Sequence, residues 1–256
     1  MLGHIKLIRP PLFIMGFIAS WALLVKFGLW GTSESLFILL TIGFGNAAFT
    51  VWNEICDVEQ DKINKPWKPL PSGKVSIYDA KIIARAFMMI SVVFLIMLYK
   101  YNVLYLCCGL LGYMFGTFYN ILKMRGVFGN FSLGATYAIA AFMSTGMSDL
   151  IFPVFFAMLS VAHNIMVQLQ DYEADKTVKI VTFPQLIKQE YVFISAMILS
   201  GTAIIGFYVT YYYLFIVPAL LVFLSAYRGK HIESLVRYGA RLTLLIAFIS
   251  MGLEVM

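Results

Sequence analysis

Apolar stretches of about 20 residues recur along the whole chain, and few charged residues interrupt them. A stretch of this length crosses the hydrocarbon core of a bilayer, about 30 Å thick, as an α-helix. Hydrophobic residues make up 61% of the chain and charged residues 12%, about half the charged fraction of a soluble domain. Because no period-two alternation indicates a membrane barrel, the spanning elements must be helices. The sequence therefore predicts an all-α, polytopic membrane protein.

The windows between charged and turn residues predict nine transmembrane helices, which we expect to form a single bundle around a central cavity. The predicted spans are 11–30, 35–52, 80–99, 103–119, 131–147, 150–169, 191–210, 211–227 and 242–256. Only the aromatic run Tyr211, Tyr212 and Tyr213 separates the seventh span from the eighth. Because no linker or low-complexity tract divides the chain, we expect residues 1–256 to form one transmembrane domain.

Basic residues are distributed unequally between the two faces of this topology. With nine spans, 17 of the 19 Lys and Arg residues share the face of the N-terminus, and Lys26 and Lys100 fall on the other. The positive-inside rule makes the first face cytoplasmic and predicts a multi-pass protein of the cell membrane. The net charge of +6 follows from this asymmetry and also favours anionic lipid headgroups or a phosphorylated substrate. The lipid bilayer is the expected environment, and nothing predicts a nucleic-acid or protein partner.

Two acidic clusters stand at the ends of predicted spans, on the predicted cytoplasmic face. Residues 53–61 and 171–175 hold seven of the 13 Asp and Glu residues. Carboxylates where apolar spans meet the water are costly to desolvate unless a cation compensates their charge. Their grouping therefore indicates a divalent metal site. Oxygen ligands without His or Cys suit Mg²⁺ or Mn²⁺ better than zinc or copper. If the two clusters face each other, their metal ions would hold a diphosphate between them. The alternative is that these carboxylates are ordinary loop charges neutralised by nearby lysines.

Helical spacing places the polar side chains of each cluster on a common face. If the second span continues as a helix, Asn53, Asp57 and Asp61 recur every four residues, each about 40° further round. Glu54 lies about 60° from Asp57 on the other side. The second cluster repeats the four-residue spacing at the end of the sixth span. The candidate metal ligands are Asn53, Glu54, Asp57, Asp61, Asp171 and Asp175.

A loop rich in proline and lysine follows the first cluster, over residues 62–74. Three prolines and Gly73 stiffen this loop. Lys65 and Lys68 are candidates to neutralise an anionic leaving group. Lysines are common on the inner face in any case, but topology alone requires no rigid loop.

The order of these motifs resembles the UbiA-type intramembrane prenyltransferase superfamily, and the resemblance extends over residues 5 to 190. It is carried by Asn53-Glu54-x-x-Asp57-x-x-x-Asp61, Lys65-Pro66-x-Lys68-Pro69-x-Pro71-Ser72-Gly73, Tyr119-Asn120, Gly129-Asn130 and Asp171-x-x-x-Asp175. Nine transmembrane helices are also the architecture of that family. The family usually has Asp where Glu54 stands, and Arg where Lys65 and Lys68 stand. The second cluster lacks the Tyr and Lys of quinone-pathway members, which argues against a 4-hydroxybenzoate enzyme.

The resemblance implies transfer of a prenyl chain from a polyprenyl diphosphate to a lipophilic acceptor. It implies Mg²⁺ held by the six candidate ligands, with Asp57, Asp61, Asp171 and Asp175 as the catalytic carboxylates. The side chains expected to contact the diphosphate are Lys65, Lys68, Lys123 and Asn120. Tyr119 is a further candidate for substrate contact, and an interfacial aromatic anchor is an equal alternative.

The loop over residues 65–73 is most similar to the branch with archaeal digeranylgeranylglyceryl phosphate synthases and chlorophyll synthases. This similarity implies geranylgeranyl diphosphate as donor and the free hydroxyl of geranylgeranylglyceryl phosphate as acceptor. Prenylation of an aromatic acceptor in a quinone-type pathway is the alternative. An ion or phosphate transporter is a hypothesis from another class, but it predicts ionisable residues near the middle of the membrane.

Overall fold

The computed structural model describes residues 2–122, 126–178, 181–228 and 233–254. Within these ranges the chain forms 13 α-helices and one short 3-10 helix, with no β-strand beyond an isolated bridge at Val181. The helices are α1 (Leu2–Ile8), α2 (Pro10–Lys26), α3 (Ser33–Cys56), α4 (Val58–Asn64), α5 (Ile77–Leu98), α6 (Val103–Leu122), α7 (Val127–Ser144), α8 (Ile151–Gln170), α9 (Tyr172–Thr177), α10 (Phe183–Leu186), α11 (Gln189–Val209), α12 (Ile216–Arg228) and α13 (Glu233–Leu253).

Each of the nine predicted spans overlaps one long helix, so the all-α membrane fold is confirmed. Six of these helices are long and apolar enough to cross a membrane, namely α3, α5, α6, α7, α8 and α11. The other three contain shorter apolar segments, Pro10–Lys26, Tyr213–Tyr227 and Gly239–Leu253. The number of crossings and the side of the N-terminus stay predictions.

The join between the seventh and eighth spans lies where the aromatic run predicts it. Helix α11 ends before Thr210, and Tyr211 adopts a left-handed φ of 63°, which a helix cannot contain. The Tyr212 hydroxyl donates to Asp149 Oδ2 at 2.8 Å, and Lys26 Nζ lies 4.6 Å from the centre of its ring. Through Asp149 the join contacts the segment before α8, and through Lys26 it contacts the end of α2.

The nine long helices form a closed ring around the interior. Each packs against the next in the order α2, α3, α5, α6, α7, α8, α11, α12 and α13, and α13 returns to α2. Large apolar side chains such as Ile96, Ile198 and Ile205 are exposed on the outside, as a lipid-facing surface requires. The interior of the ring can therefore hold polar groups away from the lipid.

An aromatic cluster holds the second half of the ring together. Phe152 of α8 packs against Phe215 with ring centroids 5.0 Å apart, and Phe215 packs against Phe248 of α13 at 4.9 Å. Helices α8 and α11 approach closely at Gly206, where an added Cβ would lie 2.3 Å from the Phe155 ring. This tight packing makes the walls of the interior rigid on this side.

The helices that carry the acidic clusters both break at an aspartate. Asp57 separates α3 from α4 with φ −91° and ψ 1°, and Asp171 separates α8 from α9 with φ −92° and ψ 4°. The single helix through Asp61, which the spacing argument took as its condition, is therefore interrupted at Asp57. Because ψ near 0° turns the chain away from the helix axis, α4 and α9 bend and contact each other. The two breaks are equivalent features, 114 residues apart.

Candidate active site

The bent ends of α3 and α8 bring the two acidic clusters to one cavity. This polar cavity has a volume of about 660 Å³, and residues of α1, α2, α6, α13, the loop after α4 and Thr182 before α10 also line it. The predicted site residues that line it are Asn53, Asp57, Asp61, Lys65, Lys68, Tyr119, Asp171 and Asp175. The expectation that the clusters face each other therefore agrees with the structure.

Lys65 connects the two clusters directly. Its Nζ donates to both carboxylate oxygens of Asp171, at 2.9 and 3.0 Å, and lies 3.8 Å from Asp61 Oδ1. Gln60 Nε2 donates to Asp175 Oδ1 from the same helix that carries Asp61. The two halves of the site are thus joined by side chains of α4 and the residue that follows it.

Lys68 and Arg9 neutralise the most buried carboxylates of the first cluster. Lys68 Nζ donates to Glu54 Oε1 at 3.1 Å and also to Asp61 Oδ2, and Arg9 forms an ion pair with Glu54. Glu54 and Asp61 are 3% and 2% exposed, so their desolvation requires these cations. Arg9 adopts a left-handed φ of 51° between α1 and α2, a conformation that costs a residue other than glycine about 1 kcal/mol or more. The ion pair with Glu54 offsets that strain.

The donors that line the polar cavity fit a hard divalent cation. Six oxygen-bearing side chains of the two clusters line the same space, four of them aspartates, and the described lining contains neither a cysteine nor a histidine. In the described ranges, no group of three His, Cys, Asp or Glu side chains surrounds a common point, and Lys65 and Lys68 pair with the carboxylates of Asp171 and Asp61. Mg²⁺ requires only one or two protein carboxylates when phosphate oxygens and water complete its shell. The residues that would hold it are Asn53, Asp57, Asp61, Asp171 and Asp175.

The remaining predicted residues have different positions. Glu54 does not line the cavity and instead holds Arg9 and Lys68. Asn120 is 2% exposed, donates to the Gly116 carbonyl at 3.1 Å, and lies away from the polar cavity. Lys123 lies outside the described residues. Of the predicted diphosphate contacts in the described ranges, only Lys65 and Lys68 are placed with the carboxylates.

A second, apolar cavity of about 380 Å³ continues from the first into the ring. Tyr119, Asn164 and Arg241 are among the residues that line both cavities. The apolar cavity then passes between α2, α3, α6, α7, α8 and α13 and reaches Phe156 and Phe248. A ligand with a charged head and a long apolar tail matches this pair of cavities.

A polar network at the junction of the cavities was not predicted from the sequence. The Tyr119 hydroxyl donates to Asn164 Oδ1 at 3.3 Å, and Asn164 Nδ2 donates to Asn130 Oδ1 at 2.7 Å. Gln168 Nε2 donates to the same Asn130 oxygen at 3.1 Å. The available signal was two amide side chains, Asn164 and Gln168, inside a predicted apolar span, where unpaired polar groups are costly.

Two further contacts of the site were also missed by the sequence reasoning. Thr182 Oγ1 donates to Asp175 Oδ2 at 3.2 Å, and Asp175 is 2% exposed. The ion pair between Arg9 and Glu54 was also missed, because the two residues are 45 positions apart in the sequence. The position of Arg9 directly before Pro10 was the available signal.

Comparison with known proteins agrees with this architecture. The sequence profile of the UbiA prenyltransferase family matches residues 13–250. A digeranylgeranylglyceryl phosphate synthase of Saccharolobus solfataricus is 31% identical over 172 residues, which are 63% of this chain and 58% of that protein. The alignment thus spans less than two thirds of that relative. A synthase of the same name from Methanococcus maripaludis strain C7 is 29% identical over 205 residues, 74% of this chain and 70% of that protein.

A solved structure extends the likeness to the whole fold. A UbiA homologue from Archaeoglobus fulgidus bound to DMAPP and Mg²⁺ superposes with a TM-score of 0.72 at 18% identity. The superposition covers 99% of this chain and 98% of that one. Because the family profile matches nearly the entire chain, and the helical ring agrees, this protein belongs to the UbiA prenyltransferase family.

Proposed function

We propose that this protein transfers a geranylgeranyl group from its diphosphate to the free hydroxyl of geranylgeranylglyceryl phosphate. The observation that carries the proposal is a carboxylate-lined polar cavity that continues into an apolar one inside the helical ring. The named activity of the S. solfataricus and M. maripaludis relatives supports this acceptor. We further propose that residues 1–256 act as one domain, with the active site at the cytoplasmic face, where the basic residues concentrate.

The carboxylate clusters would hold Mg²⁺ together with the donor diphosphate. Asn53, Asp57 and Asp61 would contribute from one side, and Asp171 and Asp175 from the other. When bound, Mg²⁺ withdraws negative charge from the diphosphate and so favours its departure. The A. fulgidus homologue has been solved with GPP and Mg²⁺ as well as with DMAPP and Mg²⁺, which supports a divalent metal.

The chain's own residues would bind and separate the reacting groups. Lys65 and Lys68 stabilise the diphosphate as the allylic C–O bond breaks and the leaving group takes the electron pair. The acceptor oxygen then forms a new C–O bond with the allylic carbon, and its proton passes to water in the polar cavity. The apolar cavity excludes water from the allylic carbon and so limits hydrolysis.

The proposed activity can be tested with purified full-length protein, Mg²⁺ and labelled geranylgeranyl diphosphate. The acceptors are geranylgeranylglyceryl phosphate and an aromatic acid, and the products are separated by chromatography. We expect transfer to the glyceryl phosphate, abolished by EDTA and lowered about 100-fold or more in Asp61→Asn or Asp175→Asn. Glu59→Gln is the matched control, because Glu59 belongs to the same acidic cluster but is exposed and does not line the polar cavity.

Other outcomes would redirect or reject the proposal. Turnover with the aromatic acid alone would replace the lipid acceptor by an aromatic one. Full activity in EDTA, or in both aspartate variants, would reject the metal mechanism. Flux of phosphate or cations into vesicles without any prenyl product would support a transporter instead.

A further inference from the structure

Arg241 is a charged residue in an otherwise apolar membrane segment. Between Gly239 and Leu253 it is the one charged residue in the sequence, and it lies near the start of that segment. A guanidinium facing lipid at such a position is costly, and intramembrane charges therefore mark polar cavities or ligand sites. Arg241 follows this rule, because it lines both the polar and the apolar cavity.

The position of Arg241 along α13 is at the junction of the two cavities. Leu242 and Leu245 of the same helix line the polar cavity, whereas Leu244 and Phe248 line the apolar one. Because Ala240 also lines the apolar cavity, the two linings belong to neighbouring faces of α13, and Arg241 lies where these faces meet. A charged headgroup that continues into an apolar chain would meet Arg241 where head and tail join.

The proposed reaction brings two anions to this junction. The donor contributes its diphosphate. The acceptor contributes a phosphomonoester on the carbon adjacent to the one that bears the reacting hydroxyl. When that hydroxyl approaches the allylic carbon, the monoester must also lie at the junction. A charge of about −2 placed beside the carboxylate clusters is repelled unless a further cation compensates it.

We propose that Arg241 recognises the acceptor's phosphomonoester and so makes this enzyme selective for a phosphorylated lipid acceptor. This inference rests on the proposed function and adds the residue that selects the acceptor. The planar guanidinium can donate two parallel hydrogen bonds to phosphate oxygens, which an ammonium cannot do with the same geometry. Arg241 comes from α13, whereas the lysines assigned to the donor follow α4 and pair with Asp61 and Asp171.

The kinetic test compares wild type with Arg241→Gln and Arg241→Lys in nanodiscs of neutral lipid with Mg²⁺. The acceptors are geranylgeranylglyceryl phosphate and its dephosphorylated alcohol. We expect Arg241→Gln to raise the KM for the phosphorylated acceptor about 10- to 100-fold and to change the donor KM and the alcohol KM less than about twofold. Arg241→Lys should recover part of the loss. Arg85→Gln is the control, because Arg85 is an exposed arginine of α5 that lines neither cavity.

A binding measurement without donor separates this inference from the proposed function. Wild type should bind the phosphorylated lipid at least about tenfold more tightly than the alcohol, and Arg241→Gln should lose that preference while its unfolding temperature stays close to wild type. If wild type transfers no prenyl group but shows this preference, the proposed function fails and the role of Arg241 stands. An equal rise in donor KM, or an unchanged preference in Arg241→Gln, would overturn the role of Arg241.

Discussion

Replacement of Lys65 by methionine removes an ammonium group that contacts both acidic clusters, while it keeps a side chain of similar length. In wild type, Lys65 Nζ donates to Asp171 at 2.9 and 3.0 Å and lies 3.8 Å from Asp61. The Lys65 side chain is 19% exposed and that of Asp171 16%, so water compensates little of the loss. We therefore expect Lys65→Met to destabilise the protein in the absence of metal.

The magnitude follows from the lost contacts. Hydrogen bonds to charged groups contribute about 1.5–3 kcal/mol, and the lost ion pair to Asp61 adds to this. Allowing for the partial exposure of Asp171, we expect a loss of about 2 kcal/mol, or about 4–8 °C in unfolding temperature for a chain of this size. Mg²⁺ alone would supply compensating positive charge among the carboxylates, so the difference should shrink to about 1 kcal/mol or less when Mg²⁺ is bound.

The assay is thermal unfolding of both proteins in detergent, with EDTA and then with Mg²⁺. Lys62→Met is the control, because Lys62 pairs at 2.7 Å with Glu59 but both side chains are exposed, so its loss should cost less than about 0.5 kcal/mol. Equal stability of Lys65→Met and wild type in EDTA would refute the charge argument. An equal gain in stability from Mg²⁺ in both proteins would show that Lys65 and the metal do not neutralise the same carboxylates.

Two stability predictions concern the packing of α11 against α8 and the polar network around Asn130. Gly206→Ala should destabilise the protein by about 1–3 kcal/mol, because its Cβ would lie 2.3 Å from the Phe155 ring. Gly201→Ala, on the same helix with its nearest neighbour at 3.6 Å, should be neutral or stabilising, and a loss equal to that of Gly206→Ala would contradict the packing argument. Asn130→Leu should lower the free energy of unfolding by about 1–3 kcal/mol, because the buried Gln168 amide loses its hydrogen-bond partner. An unfolding temperature equal to that of wild type would show that the network is not needed for stability.

The grouping of the acidic residues was predictable because it depends on local spacing. The four-residue interval between Asn53, Asp57 and Asp61 places them together even though the helix breaks at Asp57. The backbone bonds from Asp57 N to Asn53 O at 3.0 Å and from Asp61 N to Asp57 O at 2.8 Å preserve the turn across the break. The interruption at Asp57 was not predictable, because nothing in the local sequence distinguishes a break of this kind from a regular helical turn.

The helical class, the apolar spans and the sites of negative charge follow from the order of residues alone, because hydropathy and helical spacing are local properties. Which interior face each side chain reaches depends on how the helices rotate when the ring closes between α13 and α2. That closure brings Arg241 to the same cavities as Asn53 and Arg9, and it leaves Asn120 on the apolar side. Only the tertiary structure decides these positions, because they join residues far apart in the chain through packing rather than through local spacing.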